Sequence, residues 1–449
     1  MSKRVYIETY GCQMNVADSE LITGVLAGEG YISVDNEQEA DVVLLNTCAV
    51  REKAETRILG RLGWLKSAKD KRPELVIGVA GCMAERLKEK LIARAPYVDL
   101  VVGPDSYRRL PRLLDEIGPK SDPMVDVRLD RRELYTDIEP VRQERVGGWI
   151  SVMRGCDKFC SFCVVPFTRG RERSLSPEVI LRQAVGMERK GFREVTLLGQ
   201  TVSSYEVDGK NFASLLRALH ARTQLRLRFT SPYPTDFDAE LLDALAELPR
   251  VGRHLHLPVQ SGSTPVLEAM QRRYSAEEYL ALIERIHQRL PDFAITTDFI
   301  VGFPGETDED FERTLELSRQ VRFNSAYMFK YSERSGTRAA RELPDDVPES
   351  VKSERLQRLI TLQEQSSVQR SQEKIGSEVE VLVEGENPKA PGQAMGRASC
   401  FTTTTLLSGS FEPGELVRAR VSKATTHTLY AEPLDVAGVG GERHLAEPS

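Results

Sequence analysis

Little in this chain of 449 residues points to a membrane or to export. No apolar run approaches the roughly 18 residues that a membrane span requires. The opening Met-Ser-Lys-Arg-Val-Tyr runs straight into a strand-like stretch with no apolar signal region behind it. A cytosolic protein is expected. Disulfides are not: the seven cysteines are an odd number and form no small secreted framework. In a reducing compartment, clustered thiols point to metal or catalysis instead. A net positive charge is also lacking. With a net charge of −6 the chain has no global field for nucleic acid, so any such binding must come from a local basic patch. Hydrophobic content of 40% and charged content of 29% are ordinary for a soluble globular protein, and the length suggests about three domains.

The most informative shortage is a missing ligand. In the loop Arg154-Gly-Cys-Asp-Lys-Phe-Cys-Ser-Phe-Cys163, three cysteines stand at i, i+4 and i+7, directly after a strand-like run from Trp149 to Met153. Val164, Val165, Pro166 and Phe167 follow, and none can complete the set. A structural zinc site wants four tetrahedral ligands. On a cubane iron–sulfur cluster, three thiolates leave one iron open to bind something else.

Residues 4 to about 120 alternate short strands and helices, as in a parallel α/β sheet. Three strands run into a cysteine and then a helix: Arg4–Tyr10 into Gly11-Cys12, Asp41–Leu45 into Asn46-Thr-Cys48, and Leu75–Val79 into Gly81-Cys82. Ligands gather beyond the carboxyl ends of such strands. Cys12, Cys48 and Cys82 are therefore expected on one edge, at helix N-termini that favour thiolates. This too is a set of three. Residues 121 to about 145 are polar and read as a linker.

From Trp149 the alternation resumes with strands at 149–153, 194–198, 225–230, 254–257, 294–301 and 325–330. Six βα units suggest an incomplete barrel with its chemistry at the C-terminal mouth, and a long charged helix follows from Pro348 to about Lys374. Between Gly376 and about Pro433, short alternating strands separated by turn residues suggest a small antiparallel barrel. There acidic residues outnumber Lys389, Arg397, Arg418, Arg420 and Lys423, which weakens RNA binding by charge alone. Cys400 reads as a buried strand residue, and His254 and His256 as packing or hydrogen-bonding groups. The domains expected are 3–120, 142–372 and 375–437, with a Gly- and Glu-rich tail, 438–449, disordered.

The Cys156, Cys160 and Cys163 spacing on a first-strand loop resembles the radical S-adenosylmethionine superfamily. Tyr10-Gly-Cys-Gln-Met-Asn15, with the two later strand-end cysteines, resembles the methylthiotransferase N-terminal domain, and the last barrel resembles a TRAM domain. The resemblance covers Lys3 to about Leu434. Within the methylthiotransferases, Gly11-Cys-Gln-Met-Asn15, Val165-Pro-Phe-Thr-Arg-Gly-Arg-Glu-Arg-Ser174, His256-Leu-Pro-Val-Gln-Ser-Gly-Ser263 and Thr297-Asp-Phe-Ile-Val-Gly-Phe-Pro-Gly-Glu306 are similar to the group acting on isopentenyladenosine in tRNA (the MiaB group). Thr201, the stretch Tyr331–Gly336 and the stretch Ala398–Thr405 depart from that pattern.

The resemblance implies a fold of three parts: an open parallel α/β sheet, an incomplete (β/α)6 TIM-like barrel and a small β-barrel. It implies methylthiolation of C2 of N6-(dimethylallyl)adenosine at position 37 of tRNA, by radical chemistry with two 4Fe-4S clusters and S-adenosylmethionine. One cluster, on Cys156, Cys160 and Cys163, would bind S-adenosylmethionine. The other, on Cys12, Cys48 and Cys82, would hold the sulfur to be transferred. Phe162, Gly199, Gln200, Ser231, Gly302 and Glu306 occupy positions expected around S-adenosylmethionine. Arg169, Arg171, Arg173 and Arg397 are the expected phosphate contacts to tRNA, because arginine meets phosphate bidentately. An electron donor of flavodoxin or ferredoxin type and a sulfur donor or cluster-assembly carrier are the further partners, and a monomer is expected. The competing readings are a methylthiotransferase for threonylcarbamoyladenosine or for a ribosomal-protein aspartate, a non-catalytic zinc-stabilised RNA-binding protein, and an electron-transfer protein.

Overall fold

Short runs of branched apolar residues, several of them ending at a cysteine, build the first unit. The computed structural model describes residues 3–49, 52–118, 121–142 and 146–434; the tail 438–449 lies outside the described residues. Strands β1 (Arg4–Tyr10), β2 (Ile32–Ser33), β3 (Val42–Thr47), β4 (Val76–Gly81), β5 (Leu100–Val102) and β6 (Met124–Asp126) form one sheet in the order β2-β1-β3-β4-β5-β6, with every pair parallel. Helices α1 (Gln13–Gly28), α2 (Glu52–Lys71), α3 (Cys82–Leu87), α4 (Glu89–Arg94) and α5 (Leu110–Glu116) cover its two faces. Leu62, Met83 and Leu91 pack on one face with Val43 and Val79, while Ile22, Leu26 and Leu110 pack on the other with Leu44 and Val102. β3 is buried at every position, and its first four residues, Val42–Leu45, run continuously apolar rather than alternating.

The polar stretch after residue 120 reads as a linker, but the structure folds part of it into this unit. β6 takes the open edge of β5, and Tyr135 is buried with its ring 6.1 Å from that of Tyr107. Three residues are too short for a strand period to show in sequence; the exposed edge of β5 supplies the pairing.

The second unit is an open arc. β7 (Gly147–Ser151), followed by β8 (Met153–Arg154), α6 (Val165–Thr168), β9 (Arg173–Ser174) and α7 (Pro177–Arg189), leads to β10 (Glu194–Leu198). A small hairpin, β11 (Glu206–Val207) and β12 (Lys210–Asn211), precedes α8 (Phe212–Arg222), β13 (Arg226–Phe229) and α9 (Ala239–Glu247). Then come β14 (His254–His256), α10 (Thr264–Ala269), α11 (Ala276–Arg289), β15 (Ala294–Val301), α12 (Asp308–Val321) and β16 (Ser325–Lys330). The strands pair as two parallel sheets, β13-β10-β7 and β14-β15-β16, joined by a bridge between Leu227 and Val251. The helices pack outside, around Val195, Leu197, Leu227, Leu255 and Phe299. After α13 (Arg338–Glu342), the long helix α14 (Glu349–Gln372) closes the unit.

The last unit is a closed barrel, β17 (Glu378–Glu386), β18 (Ala394–Ala398), β19 (Thr403–Leu406), β20 (Leu416–Ala424) and β21 (Thr428–Pro433), in the order β17-β18-β19-β21-β20. It is not wholly antiparallel, because β19 pairs parallel to β21. Its β18–β19 turn seats on the second unit. Arg228 donates to the carbonyls of Ala398 at 3.0 Å and Ser399 at 3.2 Å, and Arg226 donates to that of Arg397 at 3.3 Å. Phe401 stacks on His254 with 5.1 Å between ring centroids.

Candidate active site

The register of the first sheet aligns Tyr10 with Thr47 and Thr47 with Gly81, so three neighbouring strands end level with one another. Cys12, Cys48 and Cys82 begin the three turns that follow. Gly81 has φ +93°, and a Cβ on it would stand 2.5 Å from Asn46 Oδ1, so this turn requires glycine. Buried amides join the turns: Asn15 Nδ2 donates to Asn46 Oδ1 and to the Thr47 carbonyl, each at 3.3 Å, and Asn46 Nδ2 donates to the Asn15 carbonyl at 2.8 Å. Asn46 sits in an otherwise apolar strand, which was the one sequence sign that it serves this edge. Cys48 and Cys82 are buried, and Cys12 lies at the open rim. A hydrogen bond with Cys48 draws the Cys12 thiol down to about 6; crowding by protein opposes this, and the Arg169 charge and backbone N–H groups of α1 assist it. Burial pushes the Cys82 thiol up, partly countered by Arg169, whose Nε donates to Cys82 Sγ at 3.1 Å.

The second triad lies on one loop at the mouth of the arc. β8 pairs antiparallel with β9 and pinches the loop shut, and Cys156 N donates to the Gly170 carbonyl at 3.1 Å. Gly155 makes this possible: at φ +78° a Cβ would collide with the carbonyl oxygen of Arg171. Farther along, Ser161 donates to the carbonyls of Met270 and Ala269, and its own carbonyl accepts from Ala339 N at 2.7 Å. Burial pushes the thiols of Cys156 and Cys163 up to about 11 and about 12. Arg272 Nη1 reaches Cys160 Sγ at 3.5 Å, held in place by the Pro258 carbonyl and the Tyr274 hydroxyl.

At the other strand ends, Gly199 admits Met153 so closely that a Cβ would lie 2.6 Å from its Cγ. Gln200 follows, with a buried Oε1 that has no hydrogen-bond partner; Gln260 Oε1, beyond β14, is in the same condition. Gln260 lies inside the His256–Ser263 motif but was not singled out there as a site residue; its φ of +76° and orphaned carbonyl oxygen appear only in the fold. Ser231 takes φ +56° after β13, and Gly302 takes φ +68° after β15.

Two expected cofactor contacts also have protein partners. Glu306 is buried, and its Oε2 accepts from Gly302 N at 2.6 Å and pairs with Arg355 at 2.8 Å, while Oε1 has no hydrogen-bond partner. Phe162 packs edge-on to Phe303 with 6.4 Å between centroids, in a cluster with Val266 and Met270.

The arginine run needs a larger correction. Arg169 and Arg173 are 4% and 7% exposed by side chain, so neither is a surface phosphate contact. Arg173 is ion-paired with Asp105 of the first unit. Arg169 Nη2 and Arg154 Nη2 each donate to Asp18, at 2.7 Å, one to each carboxylate oxygen. Asp18 is fully buried in α1 and, with the Asp105–Arg173 pair, joins the two units. Sequence reasoning missed it because an acidic residue in a helix normally reads as solvated surface. Arg171 is exposed and pairs with Asp157 at 2.6 Å. Arg397 is half-buried over the Phe401 ring, 3.3 Å from Glu384.

This donor set suits iron–sulfur clusters at both triads. Each offers three thiols and has an arginine N–H on one sulfur. Among the described residues, no three His, Cys, Asp or Glu side chains, those of the two triads included, are grouped closely enough to hold a metal ion as they stand. The orphaned carbonyl oxygens of Gln200 and Gln260 at the mouth suit a ligand bearing N–H donors, as the amino group of S-adenosylmethionine does.

Comparison with known proteins agrees with these three parts. Residues 4–103 match the Uncharacterized protein family UPF0004, 150–318 the Radical SAM superfamily and 372–434 the TRAM domain. The chain is 46% identical over 431 residues to a tRNA-2-methylthio-N(6)-dimethylallyladenosine synthase of Chlorobium luteolum, covering 95% of this chain and 96% of that protein. It is also 46% identical over 445 residues to one of Porphyromonas gingivalis, covering 96% and 95%. Among solved structures, the radical S-adenosylmethionine methyltransferase TsrM of Kitasatospora setae, with cobalamin and a 4Fe-4S cluster bound, aligns with a TM-score of 0.55 at 16% identity, over 74% of this chain and 75% of that one.

Proposed function

The chain belongs to the radical S-adenosylmethionine superfamily and, within it, to the tRNA-2-methylthio-N(6)-dimethylallyladenosine synthases, and on that premise we propose its reaction and the residues that carry it. It is an enzyme that methylthiolates C2 of N6-(dimethylallyl)adenosine in tRNA, at position 37 beside the anticodon. The C2–H bond is not acidic, so no side-chain base removes it usefully, and the chemistry has to come from a cofactor. When bound, clusters of the 4Fe-4S type supply an electron that cleaves S-adenosylmethionine at one triad and a seat for the transferable sulfur at the other.

The chain's residues have three tasks. Cys156, Cys160 and Cys163 hold one cluster, and Cys12, Cys48 and Cys82 hold the second. Gln200 and Gln260 accept hydrogen bonds from S-adenosylmethionine, while Ser231 and Gly302 turn the backbone toward it. Arg171 and Arg397, which reach the surface, are the phosphate contacts to tRNA. A flavodoxin- or ferredoxin-type donor supplies electrons, and a sulfur donor or cluster-assembly carrier replenishes the sulfide. No helix among the described residues is long and apolar enough to cross a membrane. A tRNA substrate supports a cytoplasmic location, and we read the chain as acting as a monomer.

The observation that carries this reading is that two three-thiol sites lie on elements pinned to each other by one buried carboxylate, Asp18. Mass spectrometry of tRNA nucleosides tests it, after incubation of the reconstituted protein with S-adenosylmethionine, reductant and sulfide. Methylthiolation of prenylated tRNA is expected; turnover only on unprenylated tRNA, or on a ribosomal protein, would sink it.

A further inference from the structure

We propose that Arg169, gripped by Asp18, is the built-in counter-charge of the Cys12, Cys48 and Cys82 triad, and that Asp18 keys this charge to the Cys156 loop through Arg154. The inference rests on the two-cluster reading above and assigns positioning roles to residues other than the cysteines that hold the clusters. Asp18 is fully buried, and each of its oxygens accepts from a different guanidinium at 2.7 Å. Arg154 lies two residues before Cys156, while Arg169 lies beyond Cys163 at the end of α6. One carboxylate of the first unit therefore grips the second unit on both sides of the cysteine loop. If the units slid apart, buried charges would be left unpaired, so the bridge fixes one triad against the other.

The bridge also leaves charge to spare. Its members are the guanidiniums of Arg154, Arg169 and Arg173 against the carboxylates of Asp18 and Asp105, a surplus of one positive charge. Arg169 brings that surplus to the triad, where Nε donates to Cys82 Sγ at 3.1 Å. Its Nη1 is buried and has no hydrogen-bond partner. A charged donor left unpaired at such a site calls for an anion beside it, and thiolates with the group they hold provide one. The loop triad is built differently: Arg272 approaches Cys160 at 3.5 Å but is held by a carbonyl and a tyrosine hydroxyl. Among the described residues, Arg272 is paired with no carboxylate.

A cluster gains negative charge on reduction, so a nearby positive charge favours the reduced form, and net charge and hydrogen bonds to sulfur set the potential. The test is an electron paramagnetic resonance redox titration of the reconstituted full-length protein and of three variants, with iron counted in each. Arg169→Gln is expected to lower the midpoint potential of the strand-end cluster, Asp18→Asn to raise it, and Arg169→Lys to leave it near the wild-type value. The loop cluster should hold its own potential in both Arg169 variants. Shifts of the same sign in Arg169→Gln and Asp18→Asn, or no shift in either, would overturn the proposal. So would loss of the strand-end cluster in Arg169→Gln and Arg169→Lys alike, which would mark a purely structural role. Wild-type protein holding about four irons instead of about eight would instead remove the two-cluster reading, and this inference with it.

Discussion

Cys156, Cys160 and Cys163 stand on one continuous loop, whereas Cys12, Cys48 and Cys82 come from the ends of three separate strands. The loop triad is held by backbone: a glycine turn at Gly155, the Cys156 bond to Gly170 and the Ser161 anchors on Met270 and Ala269. The strand-end triad is held by the sheet register and by buried amides of Asn15 and Asn46. Their electrostatics differ as well. Burial lifts two loop thiols to about 11 and 12, while its hydrogen bond with Cys48 draws Cys12 down to about 6. Metal binding displaces thiol protons, and burial makes those of Cys156 and Cys163 the costlier to displace. The same count of thiols is assembled from local chain geometry in one case and from tertiary alignment in the other.

The sharpest way to break this comparison is to remove one ligand from each triad. Both Cys160→Ala and Cys82→Ala are expected to abolish methylthiolated product and to lower the iron count by about four. Only Cys160→Ala should also abolish cleavage of S-adenosylmethionine, read by chromatography of the nucleoside products. Equal loss of cleavage in both variants would mean that the triads do not divide the chemistry.

Next in size are the two glycine turns. Gly155→Ala and Gly81→Ala each force a side chain into a left-handed turn against a fixed carbonyl or amide, and each should destabilise the apo-protein by about 3 kcal/mol in urea unfolding. Gly305, also at φ +79° but with no atom near its Cβ position, serves as the milder control.

A smaller effect separates the surroundings of the triads by pH. Glu85, on α3 behind Cys82, is buried, and burial lifts its carboxyl to about 7. Its folded-state value lies above its unfolded one, so its stabilising contribution is complete below about pH 4.5 and is lost as pH rises through about 7. Glu85→Gln should flatten that decline, by about 2 kcal/mol between pH 5 and pH 7.5; an unchanged slope in urea unfolding would refute it. The smallest effect is expected from Arg171→Ala, whose exposed pair with Asp157 is screened by water. That variant should unfold as the wild type does, in contrast to changes at Arg169 only two residues away.

Much of the architecture was legible from periodicity. The six barrel strands fall where alternating βα patterns place them, and the helix expected over 348–374 forms over Glu349–Gln372. The third unit's barrel was also legible, apart from its parallel pair. Met124–Asp126 was not, because a three-residue edge strand has no period of its own and exists only where β5 offers a partner. In the site, the six cysteines stand out in sequence by spacing and by repeated position after a strand, and the fold places three on one loop and three at neighbouring strand ends. The arginine run was seen but misjudged: Arg169 and Arg173 looked like surface charge because their partners, Asp18 and Asp105, lie far away in sequence.

Local chain geometry was enough to determine where most of the longer strands lie and which three cysteines share one loop. Backbone propensity, side-chain period and turn chemistry act over a few residues, so they are written where they act. Tertiary packing alone decided what the charges do. A guanidinium is a phosphate contact at the surface and a counter-charge when buried, and only the docking of α1 against β8 and α6 settles which. Arg171 and Arg169 show this most plainly: the same residue type on one loop is solvated in the first case and locked beneath a carboxylate in the second.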